Sequence, residues 1–580
     1  MNYFDNRNIL KLHFMPHDFR THAEVIVNTN VKGEIFECNE GLSFWGGVDP
    51  KTGYIIDVHH PNHGKFLSKK FILMPTSRGS CSGSGVLLQL AQNGLAPAAL
   101  IFHETEEILT LGAIVADQLF NKKVAILRLP KDIYSALAMA DKAEIFENTL
   151  LFGSKRIKLR ELNIDKLNLN SKDQSILDGN HGAAQQIAME TICKMAAIQN
   201  AKELIDVTKG HIDGCILAHD ANLIFAEKMY QLGASISIPT TINAISVNRN
   251  NWQSQGIKPD FGSKASRLAD AYVKMGALPT YTCAPYLLEE IPKEHEVIGW
   301  SESNAVIYAN SILGAKTQKH PDYFDLFVAM TGRAPKAGVY LSKERIPKYE
   351  ISIDLPEKFD DSIWPMVGWL VGKFSPNKIP LVTGLEKTSL TTDDLKALCA
   401  AFGTTSAAPM LHINGHTPGN TLSNIKQMDK FKITREHLAT LWKDFNTADI
   451  NVDLVAIGSP HASLSECRNF VKFFNGKSCS PNVKTIITIG RGVLSQAKEE
   501  GILEELERTG IQVISDICWC SITEPIFPNN TSVIMTNSGK YAHYAHGLTG
   551  RKTRFGSLAD CAKTAQSGLA RSDIPYWLTN

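Results

Sequence analysis

KFILMPTSRGSCSGSGVLLQLAQNGLAPAALIFH (Lys70–His103) is the stretch on which the fold reading turns. An apolar run ends at Pro75. A loop of small residues follows from Ser77 to Gly85, with Arg78 as its one charge. VLLQLAQNGLAP then has helical spacing of apolar residues, and AALIFH is a short apolar run suited to a buried strand. Strand, small-residue loop, helix, strand is the repeating unit of a parallel sheet, because parallel neighbours need a long crossover.

The same alternation extends both ways. Upstream lie AEVIVN, KGEIFEC and YIIDVHHP; downstream lie EEILTLGAIVADQLF as a helix and KVAILRL as a strand. Residues 1–150 are therefore expected to form a compact α/β domain. Residues 151–172 (LFGSKRIKLRELNIDKLNLNSK), rich in Lys, Arg and Asn, are expected to be a linker or surface crossover. From Asp173 to residue 580 helical patterns alternate with short runs: GASISIP, HEVIGW, DLFVAM, DLVAIG, VKTIITIG, IQVISD and TSVIMT. These predict a large α/β body of parallel or mixed sheets, opened by a helix over Asp173–Ala201 capped at Ser171 or Asp173.

A Gly/Ser-rich turn at a helix N-terminus exposes backbone N–H groups and favours an anion such as a carboxylate. The loop lacks Walker A spacing, and its G-S-C-S-G segment puts a cysteine where a nucleophile elbow needs a serine. A tight turn packed on a neighbour reads the same residues equally well.

Composition narrows the class. The 580 residues exceed what a single core usually holds, so several domains are expected. Sixty basic residues nearly cancel fifty-nine acidic ones, for a net charge of +1. Neither nucleic acid nor an anionic membrane is expected as a partner. The opening MNYFDNRNILKLHF lacks the apolar core of a secretory signal, and no apolar run is long enough to span a bilayer, so a cytoplasmic protein is expected. Eleven cysteines, odd in number and irregular in spacing, then suit buried thiols, reactive thiols or metal ligands gathered from distant positions. His59 and His60 in DVHHPNHG, and His412 and His416 in LHINGHTPG, are read as loop histidines in hydrogen bonds, since Asn, Gly and Pro argue against a ligand-bearing helix.

The longer motifs carry a resemblance. HPNHGKFLSKKFILMPTSRGSCSGSG, GLAPAALIF and ILTLGAIVAD resemble the swivelling small domain of the aconitase X family. SILDGNHGAAQQIAMETI, HIDGCILAHDANLIFAEKM, SIPTTINAISVN, ALPTYTCAPY, GWSESNAVIYANS, ISDICWC and TNSGKYAHYAHG resemble its large subunit. The resemblance implies a small swivelling α/β domain fused in front of a large multi-layer α/β aconitase-like body. Fusion in one chain implies dehydration of cis-3-hydroxy-L-proline to Δ1-pyrroline-2-carboxylate, by a protein expected to be monomeric. Dehydration of mevalonate 5-phosphate is the alternative within the family. A non-catalytic iron-sensing or RNA-binding relative is the alternative of another class, disfavoured by the charge balance.

The resemblance further implies an iron–sulfur cluster, of the 2Fe-2S type in fused members, held by Cys283, Cys467 and Cys518, with Cys520 the rival to Cys518. The cluster would act as a Lewis acid on the departing hydroxyl. By analogy with aconitases a serine of the loop removes the Cα proton: Ser80 first, Ser82 and Ser84 as alternatives. Substrate contacts are expected from Arg78, from Thr240, Thr241 and Asn243, from Ser301, Glu302, Ser303 and Asn304, from Arg333, and from Asn537, Ser538 and Lys540. Polar residues at strand ends also cap helices and satisfy loops, so each has that second reading.

Overall fold

A computed structural model describes residues 22–58, 60–418 and 428–579. The N-terminal MNYFDNRNILKLHF and His59 lie outside the described residues.

The first unit is built on a nine-stranded sheet. Its strands are β1 (Glu24–Val27), β2 (Val31–Glu37), β3 (Phe71–Leu73), β4 (Ala99–Phe102), β5 (Ala125–Arg128), β6 (Lys142–Phe146), β7 (Thr149–Phe152), β8 (Lys155–Lys158) and β9 (Arg160–Glu161). The order is β8-β7-β6-β2-β3-β4-β5-β1-β9, with β2 to β5 mutually parallel. Helix α1 (Gly83–Gln92) joins β3 to β4 and helix α2 (Ile108–Phe120) joins β4 to β5, as the alternation in the sequence requires. The expected linker is corrected at its start. Residues 151–161 are not a connector but the end of β7 and the edge strands β8 and β9, which carry this sheet past residue 150. The charges that suggest a linker in the sequence lie on an exposed edge hairpin, where charge blunts strand-to-strand association.

The body contains four further sheets. Three parallel strands, Thr240–Ile242, Gly210–Ile212 and Gly299–Trp300, lie beside a two-stranded ribbon of Leu204–Asp206 and Arg333–Pro335. A four-stranded parallel sheet runs His412–Ile413, Pro380–Thr383, Tyr349–Ile353, Asp429–Ile433. A five-stranded parallel sheet runs Gln512–Ser515, Lys484–Ile489, Leu454–Ala462, Val533–Thr536, Lys552–Phe555. The helix expected over Asp173–Ala201 is two, Ser171–Leu177 capped by the Asn170 side chain and Ala183–Ile198, parted at Gly179–Gly182. DLFVAM, which reads as a strand, is part of the helix Phe324–Thr331. All eight of its residues are buried, so no polar face marks its period.

One continuous apolar cluster runs from α1 and α2 into the body helices Ala183–Ile198 and Asp220–Gln231. The small domain therefore docks through its helical face, with α1 against the body and the serine loop at the seam. No helix among the described residues is long and apolar enough to cross a membrane.

Candidate active site

The site lies where the carboxyl ends of parallel strands from three sheets meet, the usual place for a ligand in open α/β folds. β3 delivers Ser80 and Ser82. Gly210–Ile212 delivers Asp213, Thr240–Ile242 delivers Asn243, and Gly299–Trp300 leads to Glu302, Ser303 and Asn304. Gln512–Ser515 leads to Cys518 and Cys520, and Val533–Thr536 leads to Lys540. These residues line one cavity together with Cys283, Trp45, Tyr541 and Tyr544. The N-termini of α1 and of the helices Ser303–Ser311 and Gly539–Thr549 all open onto it. Their positive ends favour bound negative charge.

The serine loop is held rigidly. Gly79 has φ of +89°, and a Cβ there would lie 2.3 Å from the Ser43 hydroxyl, so glycine is required twice over. The half-buried Lys319 ammonium donates to the Gly79 carbonyl at 2.9 Å, and the Cys81 thiol to the Ser301 carbonyl at 2.7 Å. The Ser82 N–H donates to Ser80 Oγ at 3.3 Å, and the two hydroxyls are 3.4 Å apart. Ser84 points elsewhere: buried, its hydroxyl donates to the carbonyls of Cys81 and Asp322. Ser84 thus leaves the set of candidate bases; Ser80 and Ser82 stay.

Three cysteines meet. Cys518 Sγ is 3.3 Å from Cys520 Sγ, and both cluster with Cys283 and Ala244. The C-x-C spacing is a poor chelate on paper. A 3-10 turn over Trp519–Ser521 tucks the Trp519 ring into the core against Tyr541, 4.3 Å between centroids, and turns both sulfurs to the same side. Hydrogen bonds from Cys283 and then Cys520 hold the Cys518 thiol well below the usual range. Burial, then the bond to Cys518, push Cys283 up, while Cys520 is raised first by its bond to Cys518. Cys467 is not with them. It sits on the helix Leu464–Phe474, within an apolar cluster that includes Phe470, Ile487 and Val493. Position N4 of that helix faces the sheet and not the strand ends, so the structure brings Cys520, and not Cys467, together with Cys283 and Cys518. Among the described residues no group of three or more His, Cys, Asp or Glu is arranged so that it could hold a metal ion. Three clustered soft sulfurs are nevertheless the donor type that an iron–sulfur cluster uses.

Opposite the thiols stands an ion pair. Lys540 Nζ lies 2.9 Å from Glu302 Oε1, both side chains largely buried. Burial alone would raise the Glu302 carboxyl, but the Lys540 charge and hydrogen bond hold it below the carboxylate range. Asn243 donates to Glu302 Oε2 at 3.1 Å and also to Asp213; Asn304 donates to Glu302 Oε1 at 2.6 Å.

The other expected contacts do not reach the cavity. Arg78 is half-exposed and pairs with Glu40 and Asp57. Thr240 donates to the Ile238 carbonyl, and Thr241 bonds His211 at 2.7 Å within the strand layer. The Arg333 guanidinium is forked onto buried Asp173 and reaches Asp206, a brace between the ribbon and the helix Ser171–Leu177. Ser538 caps the helix Gly539–Thr549 and donates to the Ser459 carbonyl; Asn537 is half-buried in the preceding turn. Ser301 donates to the His320 carbonyl. His412 and His416 each bond a backbone carbonyl, of Arg345 and Leu385, as loop histidines do. Asp213, Trp45, Tyr541 and Tyr544 line the cavity without having been singled out in the sequence.

The comparisons with known proteins match this geometry. Residues 20–151 match the aconitase X swivel domain, 166–343 the aconitase X first domain, 347–443 the second and 452–567 the third. The chain belongs to the aconitase X family. Curated aconitase X relatives include cis-3-hydroxy-L-proline dehydratases of Hypocrea jecorina, 40% identical with 98% of each chain covered, and of Pseudomonas aeruginosa, 40% identical with 97% of this chain and 100% of the relative covered. The phosphomevalonate dehydratase large subunit of Methanothermobacter thermautotrophicus is 29% identical over 67% of this chain and 96% of its own. Among solved structures, Thermococcus kodakaraensis aconitase X in its holo-form aligns with TM-score 0.63 at 29% identity, covering 69% of this chain and 100% of that one. These relatives are dehydratases, and this aconitase X chain is a hydro-lyase.

Proposed function

We propose that the chain dehydrates cis-3-hydroxy-L-proline. The observation that carries this reading is the charge of the cavity wall. Its lining contains one cation, Lys540, set against Glu302 and Asp213. A zwitterionic imino acid matches such a wall: its ammonium can take the place of Lys540 on Glu302, and its carboxylate can pair with Lys540 and the three helix N-termini. A phosphate dianion would meet the Glu302 carboxylate and no arginine among the described lining residues. Trp45, Ile216 and Tyr544 supply apolar surface for a pyrrolidine ring.

Cys283, Cys518 and Cys520 are the residues that would hold an iron–sulfur cluster. Bound there, it supplies a Lewis acid for the substrate hydroxyl. The chain's own residues do the rest. Lys540 and Glu302 orient the substrate, and the apolar wall displaces water from it. Ser80 removes the Cα proton, its oxygen supported by the Ser82 N–H at 3.3 Å. Loss of water gives an enamine that tautomerises to Δ1-pyrroline-2-carboxylate in solution.

The test is turnover by anaerobically purified, iron-loaded protein offered cis-3-hydroxy-L-proline and mevalonate 5-phosphate separately. Product from hydroxyproline is expected; product from the phosphate alone would overturn the substrate assignment.

A further inference from the structure

Among the described residues the hydroxyl of the serine assigned as base is bonded to Ser82 and to no histidine, so its own proton needs a destination. The loop that carries it is stitched to the segment Lys319–Asp322. Asp322 N–H donates to the Cys81 carbonyl at 3.2 Å, and Ser84 Oγ donates back to the Asp322 carbonyl at 3.1 Å. These bonds place the Asp322 side chain beside Gly214, the residue after Asp213, where a Cβ would lie 3.7 Å from Asp322 Cβ; the Ser82 hydroxyl and the Asp213 carboxyl both act on the Asp322 carboxyl there. Ser82 in turn lies 3.4 Å from Ser80. Asp213 lines the cavity. Asp322 is 1% exposed, and its Oδ1 has no hydrogen-bond partner among the described residues. Tyr272 Oη, equally unpartnered, closes the far side: a Cβ on Gly214 would lie 3.5 Å from it and 3.8 Å from Asp322 Oδ2.

We propose that Asp322 and Asp213 act as one proton-holding pair that serves the serine base through Ser82 and the leaving hydroxyl through the cavity wall. The inference rests on the dehydratase reading above. The pair begins with Asp322 as carboxylate. Ser80 passes its proton to Ser82 Oγ as Ser82 passes its own to Asp322, leaving a Ser80 alkoxide and an Asp322 carboxylic acid. The alkoxide takes the Cα proton, the C–H electrons form the new double bond, and the C–O bond breaks. The departing hydroxide collects the proton stored on Asp322, delivered through Asp213, and leaves as water. Ser80 ends protonated and Asp322 ionised, so the cycle closes without an outside acid or base.

The surroundings suit a group that exchanges protons near neutrality. Burial, then the Asp325 charge, push the Asp322 carboxyl up to about 8, and burial with the charges of Asp322, Glu302 and Asp325 raises Asp213. Lys540 is the cation that opposes this at Asp213; Tyr272 and the Cys81 thiol face Asp322 from the remaining sides. Two close carboxyls that cannot both ionise are a recurrent acid–base device. Asp322 is a positioning residue, because it acts through Ser82; Asp213 is the member that faces substrate.

The test compares wild type, Asp322→Asn and Asp213→Asn as iron-loaded enzymes. For Asp322→Asn, kcat is expected to fall about 100-fold or more, with KM held within about 3-fold and a melting temperature no lower than wild type, since a neutral amide removes buried like-charge repulsion. Exchange of the substrate Cα proton in D2O is expected to fall with kcat. In Asp213→Asn the acidic limb of the kcat–pH profile, which follows ionisation of Asp322, is expected to move to higher pH, because the carboxyl hydrogen bond by which Asp213 lowers Asp322 is replaced by a weaker amide one. Asp322→Asn turning over at the wild-type rate overturns the pair, as does a loss of kcat matched by a loss of thermal stability. If Asp322→Asn does not fold, the Asp213→Asn profile decides, and an unmoved acidic limb overturns the proposal. Wild type that turns over neither substrate refutes the dehydratase reading itself, an outcome distinct from an active wild type with an equally active Asp322→Asn.

Discussion

Glu302→Gln separates the zwitterion reading from a merely structural ion pair. Glu302 faces Lys540 at 2.9 Å, with side chains 10% and 17% exposed, and it also caps the helix Ser303–Ser311 by accepting the Asn304 N–H. Glutamine keeps an oxygen for that cap and for the Asn304 amide, so the change removes the charge and the hydrogen bond that Oε2 accepts from Asn243. Breaking a buried pair from one side costs about 3–5 kcal/mol, because the remaining charge is left uncompensated. The low end applies here, since Lys540 also feels the Cys520, Cys518 and Cys283 sulfurs. Binding is affected separately. If the substrate ammonium sits on Glu302, its loss removes one hydrogen bond to a charged group, about 1.5–3 kcal/mol, or roughly a 10- to 150-fold rise in KM at 1.4 kcal/mol per decade. The assay is a double-mutant cycle with Lys540→Met, read by urea unfolding for the pair and by steady-state kinetics on cis-3-hydroxy-L-proline for the subsite. A cycle coupling energy above about 1 kcal/mol and a KM rise in that range are expected. A KM within about 3-fold of wild type would refute the placement of the substrate amine, whatever the unfolding data show.

Cys520→Ala is expected to lose bound iron and sulfide and the associated visible absorbance, while Cys467→Ala retains both and instead loses stability by about 1–3 kcal/mol through its cavity; elemental analysis and a spectrum read the difference, and the reverse pattern would restore Cys467 as a ligand. Ser80→Ala should abolish turnover, whereas Ser84→Ala should keep kcat within about 10-fold and lower the melting temperature, because Ser84 spends its hydroxyl on two carbonyls; an active Ser80→Ala with an inactive Ser82→Ala would move the base to Ser82. Arg333→Met is expected to unfold at lower urea by about 3–5 kcal/mol with KM unchanged, since its guanidinium is spent on Asp173 and Asp206. Burial pushes the Asp325 carboxyl up to about 7. The folded chain therefore keeps a proton that the unfolded chain releases near pH 4, and stability falls as pH rises between those values. Asp325→Asn is expected to flatten that fall, read as the urea midpoint at pH 5 and pH 8; identical slopes in both proteins would refute it.

Local pattern carried the architecture well and the site only in part. β3, the loop, α1 and β4 are legible because the hydrophobic period changes from strand to helix across a run of small residues. The strands Leu454–Ala462, Lys484–Ile489 and Val533–Thr536 are legible because buried parallel strands are near-continuous apolar runs. Periodicity fails at Phe324–Thr331 for the complementary reason: an element buried on all sides has no polar face, so length and flanks are all that remain. Composition misleads at 151–161, where the charges of an edge hairpin look like those of a linker.

The site is harder because its members come from segments scattered between Trp45 and Tyr544, and nothing local says which polar residue at a strand end points inward. Arg333 and Asn304 show the ambiguity. Each follows an apolar segment, and each is nearly buried. One is consumed by carboxylates brought from the helix Ser171–Leu177 and the strand Leu204–Asp206, and the other lines the cavity. Cys518 and Cys520 show how the ambiguity resolves. Chelate spacing counts against the pair, yet Trp519 must bury a large ring, and the turn that buries it puts both flanking sulfurs on the opposite side. The apolar residue between the cysteines, more than their spacing, brings the two sulfurs to one side. Asp213 is the sharpest case. In HIDGC it is an aspartate at a strand end like any other, and burial, with the charges of Asp322, Glu302 and Asp325 brought in from later segments, raises its carboxyl. That property belongs to the juxtaposition and to none of the three aspartates alone.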